Sequence, residues 1–234
     1  MKFEIDGNRS LSALIFDLDG LMIDSERAER EAWQAAARKL DREISDAVFS
    51  GMIGLSHAAV RSYLIQAWSD KPGAEDDFDR IYMQKSQLAS KLVIEKKSGL
   101  DSLMSWAEAL SMPMAIASST RRDLVIERLD RAGINDRRFR EIVCGDDVAE
   151  VKPAPDIYLL AAGKLRIEPR ACMALEDSDN GIRAAYAAGM IPVLVPDYSL
   201  RATSVAPADI AALAYAEFAS LGELENYLRK KIRP

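Results

Sequence analysis

Two carboxylates one residue apart, Asp17 and Asp19, close an apolar run that begins at Ala13. Such a run reads as a buried strand, and ionised groups do not belong inside one. They belong at its C-terminal tip, the end at which open α/β sheets bind ligands. Gly20 lets the backbone turn there, and Asp24 and Ser25 offer caps for the helix that follows. Asp-x-Asp-Gly also occurs in plain turns and in calcium loops. An EF-hand places a third Asp or Asn before its Gly, whereas Gly20 comes straight after Asp19, so the calcium loop fails on spacing. A catalytic pair and a capped turn both remain open on this stretch alone.

Other strand tips carry residues of the same kind. Pro113–Ala117 reads as a strand ending in Ser118, Ser119 and Thr120, and Cys172–Leu175 as one ending in Glu176, Asp177 and Ser178. Lys152 lies in the loop between them. Each has a plainer reading: Ser118 as a helix N-cap, Lys152 as a surface lysine, and 176–178 as a capping cluster. In a parallel sheet, however, all of them share one edge. Four carboxylates packed together raise one another's pKa unless a cation sits among them. Hard oxygen donors with room for water suit Mg2+, and Mg2+ so held usually also holds a phosphate.

The elements that must position these groups follow from periodicity. After the first strand the chain reads as helices without strands: Glu26–Leu40, Ser56 (as N-cap) to about Trp68, and Ala74 to about Lys96. A run of helices inserted directly after a functional strand has the organisation of a lid, with hinges near residues 25 and 97. From Ser98 helix and strand alternate, with strands at 113–117, 141–145, 172–175 and 191–195. The Ala-rich stretch 206–216 reads as a short strand plus linker. This pattern predicts an α/β fold, a doubly wound parallel sheet with a Rossmann-like core and an inserted all-helical cap. The expected boundaries are 1–24 and 98–234 for the core and 25–97 for the cap.

Length and charge narrow the function classes. A chain of 234 residues with 49% hydrophobic content can bury a full core. Its net charge of -6 supplies no positive field for nucleic acid, while a small anionic substrate needs only a few local cations. No apolar run approaches the ~20 residues of a membrane span. The first ten residues are mixed and charged, unlike a signal peptide, and Cys144 and Cys172 read as buried free thiols on strands. A cytoplasmic monomer without nucleic-acid or membrane partners is the expectation.

The motifs together resemble the haloacid dehalogenase-like hydrolases, in the branch of β-phosphoglucomutase and small phosphatases. The resemblance rests on Phe16-Asp17-Leu18-Asp19-Gly20 with Asp24-Ser25-Glu26, on Ala117-Ser118-Ser119, on Val151-Lys152-Pro153 through Tyr158, and on Leu175-Glu176-Asp177-Ser178 with Gly181 and Gly189. It implies that Asp17 is a nucleophile forming an aspartyl-phosphate and that Asp19 is the general acid and base. It implies Mg2+ held by Asp17, the Asp19 backbone carbonyl and Asp177, with Glu176 as a further ligand or a partner of one. Ser118 would then bind the phosphoryl group and Lys152 neutralise it. The acid at Asp19 points to phosphoryl transfer rather than dehalogenation. The mutase pattern carries a histidine four residues before the Trp of an Ala-Trp pair, where this chain has Glu29 before Ala32-Trp33. It also carries an arginine after Gly-x-Ser, where His57 follows Gly54-Leu55-Ser56. Both differences favour a phosphatase acting on a small phosphorylated metabolite, a sugar phosphate above all, over a phosphohexomutase. Glu29, His57, Ser119, Thr120, Arg121 and Arg122 are the candidates for holding the rest of the substrate, with Lys85 and Lys91 behind them. For His57 an exposed place in a first helical turn, and for the two arginines simple solvation, are the competing readings.

Overall fold

In a computed structural model of the chain, residues 2–7, 9–52, 57–69, 71–197 and 207–232 are described. A short antiparallel hairpin, β1 (Phe3–Asp6) and β2 (Arg9–Leu11), leads into β3 (Ala13–Phe16). With only Phe3, Ile5 and Leu11 of its residues apolar and buried, this hairpin leaves no strand pattern in the sequence.

The chain divides into two compact units, residues 1–24 with 95–234, and residues 25–94. The first is built on a six-stranded parallel sheet. Its strands are β3, β4 (Met114–Ser118), β5 (Glu141–Cys144), β6 (Cys172–Glu176), β7 (Ile191–Leu194) and β8 (Ala216–Glu217), in the order β5-β4-β3-β6-β7-β8. Progression to one side through β4 and β5, then to the other through β6, β7 and β8, is the doubly wound arrangement expected. Strand order reverses where β3 lies between β4 and β6, and the crevice beyond the carboxyl ends of such strands is where these sheets bind ligands.

The helices of this unit are α5 (Leu100–Ala109), α6 (Arg122–Arg131), α7 (Asp156–Leu165), α8 (Asp179–Ala187), α9 (Ala208–Leu213) and α10 (Leu221–Lys231). Ala13, Ile15, Ala115, Ala117 and Val143 on one face of the sheet pack with Ile157, Tyr158, Ala161 and Leu165 of α7 and with Ala184 and Ala185 of α8. The alternate residues Leu14, Phe16, Met114 and Ile116 are also buried, so β3 and β4 are apolar on both faces, as central parallel strands require. Small residues on the first face let α7 and α8 approach the sheet closely. Cys144 and Cys172 are buried free thiols on β5 and β6, and burial pushes them up to about 11 and about 12.

The second unit holds α1 (Ser25–Arg38), α2 (Asp46–Ser50), α3 (His57–Ala67) and α4 (Ala74–Ala89). Trp33, Ala36 and Ala37 of α1 share a core with Phe49, Leu64, Trp68, Phe78 and Ile81. The buried Arg42 ties its loops together, donating to Asp77 at 2.9 Å and to the carbonyls of Trp68, Lys71 and Pro72 at 3.2, 3.3 and 2.6 Å. A guanidinium can be buried here because its donors find acceptors.

Three expectations need correction. The third inserted helix ends at Ala89, not near Lys96, because 95–97 are extended against 22–24: Asp24 donates to the Glu95 carbonyl at 2.8 Å and Lys97 to that of Met22 at 2.9 Å. The same pairing puts the division between units at 94/95 rather than after 97. The Ala-rich stretch forms helix α9, with Ile210 packed on Ile182 and Leu194, and only two residues of strand follow it. Alanine's helix preference, with one apolar anchor, outweighs the strand reading. The Gly54-Leu55-Ser56 segment lies outside the described residues. Among the described residues no helix is long and apolar enough to cross a membrane.

Candidate active site

The acidic tip of β3 and that of β6 are brought side by side by their parallel pairing, which aligns Phe16 with Leu175. The Asp17 amide continues the ladder, donating to the Leu175 carbonyl at 3.0 Å. Beyond it the backbone curls, with Gly20 at φ +90°. A side chain there would be strained and would overlap the Asp177 carboxylate, so glycine lets these two loops meet.

Lys152 enters this crevice from the loop before α7. Its ammonium donates to Asp17 Oδ1 at 2.5 Å, to Glu176 Oε1 at 2.6 Å and to the Ala117 carbonyl at 2.8 Å, with its side chain 6% exposed. The plain surface-lysine reading therefore does not hold. One ammonium serves two buried carboxylates, which leaves the trio with an excess negative charge. Burial alone would lower Lys152, but the charges of Asp17 and Glu176 outweigh it and push it up. Burial pushes Asp17 up to about 8 against the pull of Lys152, with the Glu176 charge adding to the rise. The two directions have different causes: burial raises Asp17, while the facing carboxylates raise Lys152.

Glu176 is fully buried. Its Oε1 accepts from Lys152 and from the Tyr158 hydroxyl at 2.7 Å, and its Oε2 accepts from Ser178 Oγ at 3.0 Å and the Ser178 amide at 3.4 Å. Ser178 also caps α8, accepting from the Gly181 amide at 3.1 Å, so the capping and site readings of 176–178 are both realised. The carboxylate rests against Gly181, where any Cβ would overlap it.

Asp17, Glu176 and Asp177 each offer an oxygen, all within 4.8 Å of one another, which makes them a group able to hold a metal ion. Hard carboxylate oxygens beside an excess negative charge suit a hard divalent cation. Cys144, Asp146 and Asp147 form a second such group. There the Asp147 carboxylate already accepts from the Cys144 amide and Arg122, and Asp146 from the Arg122 amide.

Ser118 ends β4, is buried, and accepts from the Thr120 amide at 3.2 Å, the local turn expected of a serine before a helix. Ser119 is exposed. Thr120 is turned towards β3, and its hydroxyl donates to Asp19 Oδ2 at 2.9 Å. Arg121 pairs with Asp123 on the surface, and Arg122 pairs with Asp147 and donates to the Ile142 carbonyl at 2.8 Å. The arginine that reaches the acidic pair is instead Arg128, whose guanidinium donates to Asp19 Oδ1 at 2.6 Å. It lies between the buried Val125 and Leu129 on α6, and a cation on an apolar stripe is the signal that would have singled it out. Tyr158 was missed as a contributor because a tyrosine at helical spacing reads as core.

In the inserted unit, Glu29 of α1 forms an ion pair with Lys85 of α4, whose ammonium lies 5.5 Å from the Trp33 ring centre and 5.8 Å from that of Tyr82. His57 is exposed, with its ring edge-on to Tyr82 at 4.5 Å. Glu29, Lys85 and His57 are thus gathered around one aromatic group, and Lys91 is exposed just beyond α4.

A doubly wound α/β unit with a carboxylate–lysine cluster at its switch point, interrupted after the first central strand by helices, is the class of protein that fold and site define. The profile of the haloacid dehalogenase-like hydrolases matches residues 14–195. The chain belongs to that family. It is 28% identical over 180 residues to the phosphorylated carbohydrates phosphatase of Thermotoga maritima, covering 77% of this chain and 82% of that one. Among solved structures it superposes on a HAD family hydrolase from Deinococcus radiodurans R1, with bound phosphate and sodium, at TM-score 0.79 and 26% identity, covering 96% and 98% of the two chains. A β-phosphoglucomutase from Clostridium difficile shares the fold at TM-score 0.67 and 24% identity, covering 94% and 96%.

Proposed function

We propose that the protein is a Mg2+-dependent phosphatase of small phosphorylated metabolites, with sugar phosphates as its substrate class. The observation that carries this reading is Lys152 held between Asp17 and Glu176 at the carboxyl ends of β3 and β6, beside Ser118. Phosphatases of phosphorylated carbohydrates among its relatives support the substrate class.

In this reading Asp17 attacks phosphorus, the ester P–O bond breaks, and Asp19 gives its proton to the departing alkoxide. Asp19, now a carboxylate, takes a proton from water as that water attacks the aspartyl-phosphate, and the bond from phosphorus to Asp17 breaks. Lys152 places a fixed positive charge beside the nucleophile and the charge that develops on the phosphoryl oxygens, and Ser118 Oγ donates to one of them. Asp17, Asp177 and the Asp19 backbone carbonyl would hold Mg2+, which supplies charge neutralisation at phosphorus when bound. Glu176, its oxygens already accepting from Lys152, Tyr158 and Ser178, holds the lysine in place. The inserted helices are assigned the part of a lid from their position in the sequence, and Glu29, Lys85 and His57, gathered within that unit, are its candidates for recognising the substrate's organic part. The alternative, a phosphohexomutase, is disfavoured by Glu29 and His57 at the two positions where the mutase pattern has a histidine and an arginine.

Purified protein is expected to hydrolyse p-nitrophenyl phosphate with Mg2+ and to lose that activity with chelator. A panel of phosphorylated metabolites should return its highest kcat/KM on a sugar phosphate. Phosphate passing to an added sugar in preference to water would establish the mutase instead. No hydrolysis of any ester with metal present would sink the enzymatic reading.

A further inference from the structure

We infer that Arg128 is a latch on Asp19, holding its carboxylate in a resting position from which it cannot deliver a proton, so that the rate of ester cleavage depends on how readily the latch opens. The inference rests on the proposed role of Asp19 as the acid and goes beyond it, because it makes that acid's availability a property of α6.

Both oxygens of Asp19 are engaged. Oδ1 accepts from the Arg128 guanidinium at 2.6 Å and Oδ2 from the Thr120 hydroxyl at 2.9 Å. A general acid needs a proton on one oxygen and a free line from it to the leaving group. A carboxylate whose two oxygens both accept, from an arginine and from a hydroxyl, has no such free line. To act, the Asp19 side chain must leave at least the charged partner. Asp17 is differently placed, since Lys152 takes only its Oδ1 and the other oxygen stays available for attack.

The direction of the Arg128 side chain explains why a residue late in α6 serves the strand tips. Side chains on a helix lean towards its N-terminus, and α6 starts just after the β4 tip, so a long side chain at 128 reaches back to the loop carrying Asp19. The pair is about three-quarters shielded, Arg128 being 21% and Asp19 24% exposed in their side chains. Partly exposed ion pairs are weak enough to open, and such a pair holds its resting state by about fivefold. Neither arginine at the start of α6 could do this, since Arg121 and Arg122 are engaged with Asp123 and Asp147.

The latch has a signature that a structural role lacks. Cleavage of an alkyl phosphate needs a proton on its leaving oxygen, whereas p-nitrophenolate departs without one. The ratio of kcat/KM for glycerol 2-phosphate to that for p-nitrophenyl phosphate therefore reads the availability of the acid, and it cancels losses common to both. Arg128→Gln is expected to raise this ratio about fivefold, the strength of the pair it removes. Thr120→Val, which frees the other oxygen, should move it the same way. A ratio that is unchanged or lower in Arg128→Gln, with the Asp19→Asn ratio collapsed, would overturn the latch and leave Asp19 as the acid. A ratio unaffected by Asp19→Asn would overturn both.

Discussion

Asp17→Asn is expected to reduce kcat by at least ~10⁴-fold at saturating Mg2+, the scale on which removing one member of a covalent catalytic group acts. Saturating Mg2+ offsets the weaker grip of an amide oxygen on the metal, so the loss reads nucleophilicity. An asparagine carbonyl can still accept from Lys152 at the position of Oδ1, where the ammonium is now 2.5 Å away. The lysine therefore keeps its place, and the β3–β6 ladder is untouched. Unfolding midpoints close to wild type, with activity lost on both alkyl and aryl esters, are the expected pair of results. A variant within tenfold of wild type on either ester would mean that water attacks phosphorus directly.

Lys152→Ala is expected to act on stability and rate together. It removes the ammonium from between Asp17 and the fully buried Glu176, leaving two carboxylates to face each other in a low-dielectric crevice. Removing one partner of a buried pair costs about 3–5 kcal/mol. The rate should fall about 10²–10³-fold or more with the loss of a charge aimed at the phosphoryl oxygens. Tyr158→Phe is the graded comparison. It takes away one donor to Glu176 Oε1 and keeps the ring under Lys152, whose ammonium lies 4.9 Å from the ring centre. That should cost about 1–2 kcal/mol, with a smaller loss in kcat because Glu176 then draws the lysine harder away from Asp17. Urea unfolding beside steady-state kinetics measures both changes. A Lys152→Ala protein as stable as wild type would show that the two carboxylates do not depend on the lysine.

The parts of this arrangement legible in the sequence are those set by local chemistry. Asp17 and Asp19 stand out because they interrupt an apolar run, and Glu176 and Asp177 because they end another. The alternation after residue 98 is enough for a parallel sheet. Ser118 and Lys152 each have a better bland explanation alone, and only their placement on the same edge brings them into the site. Tyr158 could not be read in this way, and Arg128 carried only the faint signal of a cation on an apolar stripe, because their partners lie on other elements and depend on how α7 and α6 pack against the sheet. The two arginines that adjacency to Ser118 suggested are tied up by Asp123 and Asp147, neither contact having a periodic signature. The β1–β2 hairpin and the helix at 208–213 escaped for a related reason. Each is held by a few apolar residues, Leu11 in one and Ile210 in the other, too few to make a pattern.

These observations reduce to one claim, that phosphate leaves its ester onto Asp17 before it reaches water. The stereochemical course at phosphorus tests it most directly. Two in-line displacements invert the centre twice, so hydrolysis of an isotopically chiral phosphorothioate ester in water carrying the third oxygen isotope should proceed with retention of configuration. Inversion would mean a single displacement by water, with Asp17 no more than a positioning carboxylate, and would contradict the account.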